Sequence, residues 1–178
     1  MTKHNSLYDQ ADSFGWISIG LHWATTIAVL VLWFVGQSIL SQAVDEIDAR
    51  RSLHITIGLI VWLPIAARIV WRLRTKHPQL RGQTTWVRNT ARAAHYLMLA
   101  ALSVMLVSGP TMAWMRYFSS PEGASTADIA FVFHSTAAMI LAGLVSIHIL
   151  GALKHLMFHD DETVARIFVP RRDGEGSS

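Results

Sequence analysis

Two histidines, His134 and His148, stand fourteen positions apart in the apolar stretch Ile129–His159, IAFVFHSTAAMILAGLVSIHILGALKHLMFH. In a helix, fourteen steps of about 100° return to within roughly 40° of the same face and climb about 21 Å. One helix therefore aims two imidazoles in one direction at two depths. The stretch is long enough to cross a bilayer, for which roughly 20 residues suffice. An imidazole held inside a membrane is costly and normally has a function. Two of them at opposite depths suit axial ligation of two stacked haems. The matching partners are His22 and His54, each in a further apolar span.

The elements that must position these side chains follow from hydropathy. Half of the 178 residues are hydrophobic (52%) and only 15% are charged, with a mean hydropathy of +0.34, which is a membrane composition. Four spans are expected, at about residues 16–40, 53–73, 93–118 and 129–159. The fold class is all-α, a transmembrane four-helix bundle in a single membrane domain. The second span is interrupted by Pro64 and Arg68, and the third is broken near Gly109-Pro110. Residues 1–15 read as a frayed or surface-lying lead-in. A cleaved signal peptide is the competing reading of the N-terminus. The first apolar run is too long for one, and Asp9 and Asp12 precede it beside a single Lys3. No internal repeat is evident.

Arginine sets the orientation. The connection between spans two and three, with its helix ends, holds Arg72, Arg74, Lys76, Arg81, Arg88 and Arg92. The first connection holds Arg50 and Arg51 near three acids, and the third holds Arg116 alone. By the positive-inside rule the basic connection and both termini face the cytoplasm. Trp16, Trp71 and Trp114 fall near span ends, as interfacial aromatics do. With that orientation, His22 and His148 lie toward the inner side and His54 and His134 toward the outer side. Bis-imidazole ligation leaves iron with no open position, which suits electron transfer better than oxygen binding.

Other classes are excluded or weakened. With no cysteine, disulfides, thiolate-held zinc, iron–sulfur clusters and covalently attached haem are ruled out. The sequence pI of about 9.7 comes from scattered loop arginines and reports topology rather than nucleic-acid binding. The four spans carry no Asp or Glu, which counts against a proton-coupled carrier or a zinc transporter. Gly20, Gly58, Ala137, Gly143 and Gly151 fit a flat macrocycle, although small residues also serve ordinary helix packing. Met98, Met105 and Met112 recur every seven residues and read as a packing stripe on the bundle core. Arg68 is fourteen residues after His54, either a partner for the propionates of the inner haem or a snorkelling cation. His95 is a fifth ligand candidate, a propionate partner or part of a quinone pocket. His4, His77 and His159 read as surface residues.

The motifs L-H-W at 21–23, R-S-L-H-I-T-I-G at 51–58 and A-A-R-I-V-W-R-L at 66–73, with H-x13-H and a further His155 in the last span, resemble the bacterial cytochrome b561 family over about residues 14 to 170. The resemblance implies two b-type haems on His22, His54, His134 and His148, exchanging electrons with ubiquinone. It implies superoxide as electron donor at the periplasmic face, so that the chain would act as a superoxide:ubiquinone oxidoreductase. The alternative is a haem b membrane subunit taking electrons from a redox protein such as a hydrogenase or dehydrogenase partner. The family's quinone-proximal histidine falls on His155, seven residues beyond His148. Relatives carry lysines in a proline-rich run where this chain reads H-P-Q-L-R-G, and Arg81 stands in that place. Arg50, Arg51 and Arg116 are the cations available to attract superoxide, with Asp45, Glu46, Asp48 and Glu122 nearby.

Overall fold

The computed structural model describes residues 7–10, 13–40, 47–75, 85–118, 121–158 and 167. Its four helices are α1 (Trp16–Leu40), α2 (Ile47–Arg74), α3 (Thr85–Phe118) and α4 (Pro121–Phe158). Each contains a segment long and apolar enough to cross a membrane. The helices are apolar around most of their circumference because lipid, not water, is their outer solvent. Phe34, Ile60, Leu63, Val107 and Met157 each leave about 70% of their surface uncovered, which only a hydrocarbon surrounding tolerates on this scale.

Three helices begin earlier than hydropathy indicates. α2 starts at Ile47 rather than Leu53, α3 at Thr85 rather than Ala93, and α4 at Pro121 rather than Ile129. The added turns are polar, so they lengthen the helices beyond the apolar segments without lengthening those segments. Arg50 and Arg51 thereby belong to α2 instead of a connection, and Arg51 is 2.9 Å from Asp48 one turn earlier. Pro121 suits a first helical position, where its missing N–H costs nothing.

Consecutive helices pack antiparallel: α1 on α2, α2 on α3, and α3 on α4. The result is two hairpins, α1–α2 and α3–α4, joined along α2 and α3. The starts of α1 and α3 and the ends of α2 and α4 share one end of the bundle, called here the termini end; the other is the far end. A small core closes the middle, formed by Ala28, Ile65, Ala101, Leu102 and Leu141. Met98 and Met105 pack against it, as the heptad stripe indicates, while Met112 is half-buried farther along. Leu141 is only 3% exposed and lies seven residues from both His134 and His148, about 10 Å along the axis from each. An apolar plug therefore separates the two histidine levels.

The joint between hairpins depends on a proline. Pro110 has no N–H, so the carbonyl of Leu106, four residues earlier, loses its helical partner. Trp62 Nε1 on α2 donates to that carbonyl at 3.0 Å. In hydrocarbon an unsatisfied carbonyl is expensive, so one side chain both repairs α3 and fixes it to α2.

The described part of the lead-in, residues 7–10 and 13–15, is anchored. Asp9 accepts hydrogen bonds from the Gly15 N–H and the Ser18 hydroxyl, both at 2.8 Å. Trp71 Nε1, from the end of α2, donates to Ser18 Oγ at 2.8 Å, and the Trp71 ring stacks on Tyr8. Trp71 is thus a tie between helices in addition to lying near a span end. A Cβ on Gly15 would collide with the backbone of Leu7 and Tyr8, so this turn requires glycine. Leu7 and Tyr8 themselves are exposed, and the surface-lying expectation holds for them.

Candidate haem-ligand pairs

At the far end, the rings of His54 on α2 and His134 on α4 come together edge to face, with centroids 6.2 Å apart and planes at 85°. Two metal–imidazole bonds of about 2.0–2.1 Å, plus the half-widths of two five-membered rings, sum to roughly 6 Å. The separation is what an iron held between the two rings requires. Among the described residues no three acidic or histidine side chains converge as they would on a bare ion, so the pair stands by itself.

Each ring is seated against a glycine on the neighbouring helix of its own hairpin. A Cβ on Gly36 of α1 would come within 3.3 Å of His54 Cε1 and 3.5 Å of Nδ1. A Cβ on Gly109 of α3 would meet His134 at the same two distances. These seats repeat one geometry in both hairpins, a correspondence that the loop lengths obscure in the chain. Ser108, beside Gly109, is 7% exposed and its hydroxyl oxygen lies 3.2 Å from His134 Nδ1. In the sequence Gly109 stands out only as part of the break with Pro110, and Gly36 and Ser108 do not stand out. The available signals are a glycine directly before Pro110 and a serine within an apolar span.

At the termini end, His22, His95 and His148 gather. The rings of His95 and His148 are 5.1 Å apart at 67°, and His22 is within electrostatic range of both. The His22 ring lies edge-on to Trp23 at 5.6 Å. Arg68 lies within electrostatic range of His22 and His95, and Arg72 of His95. The Asp9 carboxylate is a shared counter-charge for the two guanidinium groups. Arg72 Nη1 is buried without a hydrogen-bond partner, and Thr25 Oγ1, near His22, is likewise unmatched. Buried donors left open beside paired histidines fit an acidic group such as a propionate. His95 is therefore an immediate neighbour of His148, and Arg72, by sequence a topology-setting cation, joins Arg68 beside the histidines.

The remaining expectations are distributed unevenly. Gly58 is half-buried on α2, and nothing lies within 4 Å of a Cβ built on it, nor on Gly20, Gly143 or Gly151. These four are open positions, unlike Gly36 and Gly109. Ala137 is buried on α4. α4 runs through His155, whose side chain lies outside the described residues, as do all of Arg81, His4, His77 and His159 and the side chain of Arg116.

Residues 13–170 match the family model described as prokaryotic cytochrome b561. Two proteins of Escherichia coli (strain K12) are similar over almost their whole length. Cytochrome b561 homolog 2 is 28% identical, with 91% of this chain and 94% of that protein covered. Cytochrome b561 homolog 1 is 24% identical, with 89% and 98% covered.

Proposed function

The chain belongs to the prokaryotic cytochrome b561 family of multi-pass membrane haem proteins that transfer electrons, and from that premise we propose that it binds two b-type haems in series and relays electrons from the periplasmic face to ubiquinone. His54 and His134 hold the far-end haem, and His22 and His148 hold the one at the termini end. The observation that carries this reading is the far-end pair, two imidazoles 6.2 Å apart, each set against a glycine. Each haem, when bound, would supply one-electron transfer chemistry. Arg68 and Arg72 neutralise propionates at the termini end, His95 packs against the ligand His148, and Gly58 leaves room beside the far-end site. The Leu141 plug keeps water from the space between the two levels.

The far end faces the periplasm and both termini face the cytoplasm of the inner membrane. The arginine bias of residues 72–92 supports this orientation. A reporter active only in the periplasm should stay silent when fused after Ser178 and give signal when inserted between α1 and α2. The reverse pattern would invert the molecule.

Ubiquinone docks at the termini end beside His155, with Arg81 as a second contact. A quinone carbonyl gains negative charge as it accepts an electron, and a cationic imidazole or guanidinium beside it stabilises that charge and assists protonation. His155 follows His148 by two turns on α4, toward the end of the bundle assigned to the cytoplasm. The electron donor is superoxide. Exposed Arg50, with Arg51 and Arg116, supplies the attraction at the far end.

The test is stopped-flow spectroscopy of the purified chain with a superoxide source and a short-chain ubiquinone. The account expects rapid haem reduction by superoxide and reoxidation by the quinone. His155→Ala should keep both haems and their reduction while slowing reoxidation at least tenfold. Unchanged reoxidation would move the quinone away from His155, and no reduction by superoxide would remove superoxide as the donor.

A further inference from the structure

Ser108 and Gly109 are adjacent on α3 and both meet the ring of His134. The Ser108 hydroxyl donates to the Val104 carbonyl at 2.7 Å, while its oxygen is 3.2 Å from His134 Nδ1. A hydroxyl has one hydrogen, and here it is spent on the carbonyl. In the contact with Nδ1 the serine oxygen is therefore the acceptor and Nδ1–H the donor. That assignment puts the ring proton on Nδ1 and leaves the Nε2 lone pair free.

His54 has the same steric seat and a different polar one. Gly36 approaches it at the distances at which Gly109 approaches His134. The residue before Gly36 is Val35, which offers no hydroxyl. His54 Nδ1 is buried with no hydrogen-bond partner of ordinary geometry. A backbone carbonyl one turn before each glycine, Leu32 for His54 and Met105 for His134, stands near each ring. The hydroxyl is what distinguishes the two.

We propose that Ser108 is a positioning residue for His134: it holds the imidazole as the Nδ1–H tautomer with Nε2 presented toward His54, and it makes His134 the stronger electron donor of the far-end pair. This inference rests on the reading of His54 and His134 as ligands of one haem. An imidazole that donates from Nδ1 is more basic at Nε2, and a more basic axial ligand favours ferric over ferrous iron. Ser108 thereby lowers the midpoint potential of the far-end haem and biases electrons toward the termini end.

The experiment compares the detergent-purified wild type with Ser108→Ala and Ser108→Thr. Haem content, the low-spin ferric electron paramagnetic resonance signal and a spectroelectrochemical titration are measured for each. Ser108→Ala should retain both haems and raise the reduced-to-oxidised ratio of one of them about tenfold at fixed ambient potential, a shift of about 59 mV for one electron. Its resonance signal should shift while the other stays in place. Ser108→Thr keeps a hydroxyl that bonds the same carbonyl, so it should behave as wild type. Loss of the far-end haem in the alanine variant with recovery in the threonine variant also supports the proposal. Unchanged potentials in the alanine variant, or equal loss in both variants, would overturn it and leave Ser108 a packing residue. His134→Ala is run in parallel. If that variant keeps two haems, the ligand reading fails, independently of what Ser108 does.

Discussion

His134→Ala is expected to remove one haem and leave the other, halving haem absorbance per chain, and His54→Ala should produce the same spectrum. The two residues lie on different hairpins, eighty positions apart, and only the far-end pairing predicts that their losses coincide. The surviving haem should keep its potential to within the effect of a changed neighbour. Leu141 and the small core stand between the two levels, so a cavity opened at the far end does not reach His22 or His148. A double variant, His54→Ala with His134→Ala, should look like either single one. Losses that add, leaving no haem, would show that the two histidines serve different sites.

Gly109→Val is expected to cost the far-end haem although no histidine is substituted. A Cβ added at that position would stand 3.3 Å from His134 Cε1, tighter than ordinary van der Waals contact. Valine adds two methyl groups on a stiff χ1, so the imidazole must swing off its axis or α3 and α4 must part. Parting is opposed by the packed face the two helices share, whereas the ring turns about two soft dihedrals. The ring yields, and the iron loses a ligand. Gly109→Ala should give partial occupancy, with more free imidazole added to the medium restoring the spectrum. Full haem content in the valine variant would show that the close approach has no role in ligation.

Much of this arrangement is legible in the chain, for a physical reason. Spans declare themselves because each must satisfy its backbone internally and present apolar side chains outward. The depth matching of His22 with His148 and His54 with His134 follows from counting residues along rigid helices. What the chain does not declare is which residues meet across helices. Gly36 and Gly109 look like any small residues in a membrane helix, and they differ from Gly20 or Gly58 only in what lies opposite. Ser108 reads as a tolerated hydroxyl until α4 brings His134 alongside. Arg72 counts among loop cations by sequence, yet its Nη1 is enclosed at the termini end. Asp9 counts by sequence only against a signal peptide, because a polar stretch outside the spans carries no periodic signal, yet its carboxylate bonds Gly15 and Ser18 and is a counter-charge for Arg68 and Arg72. The helix starts at Ile47, Thr85 and Pro121 precede the apolar spans because hydropathy marks where lipid begins, not where backbone hydrogen bonding begins.

The central claim, two haems each held between two imidazoles, is tested most directly by a redox titration of the purified wild-type chain with haem and protein quantified together. The account predicts two non-covalent b-type haems per chain, both low-spin in the ferric state and both six-coordinate, titrating as two one-electron components. A single haem per chain, or a ferric component that is high-spin and binds added cyanide or azide readily, would contradict it.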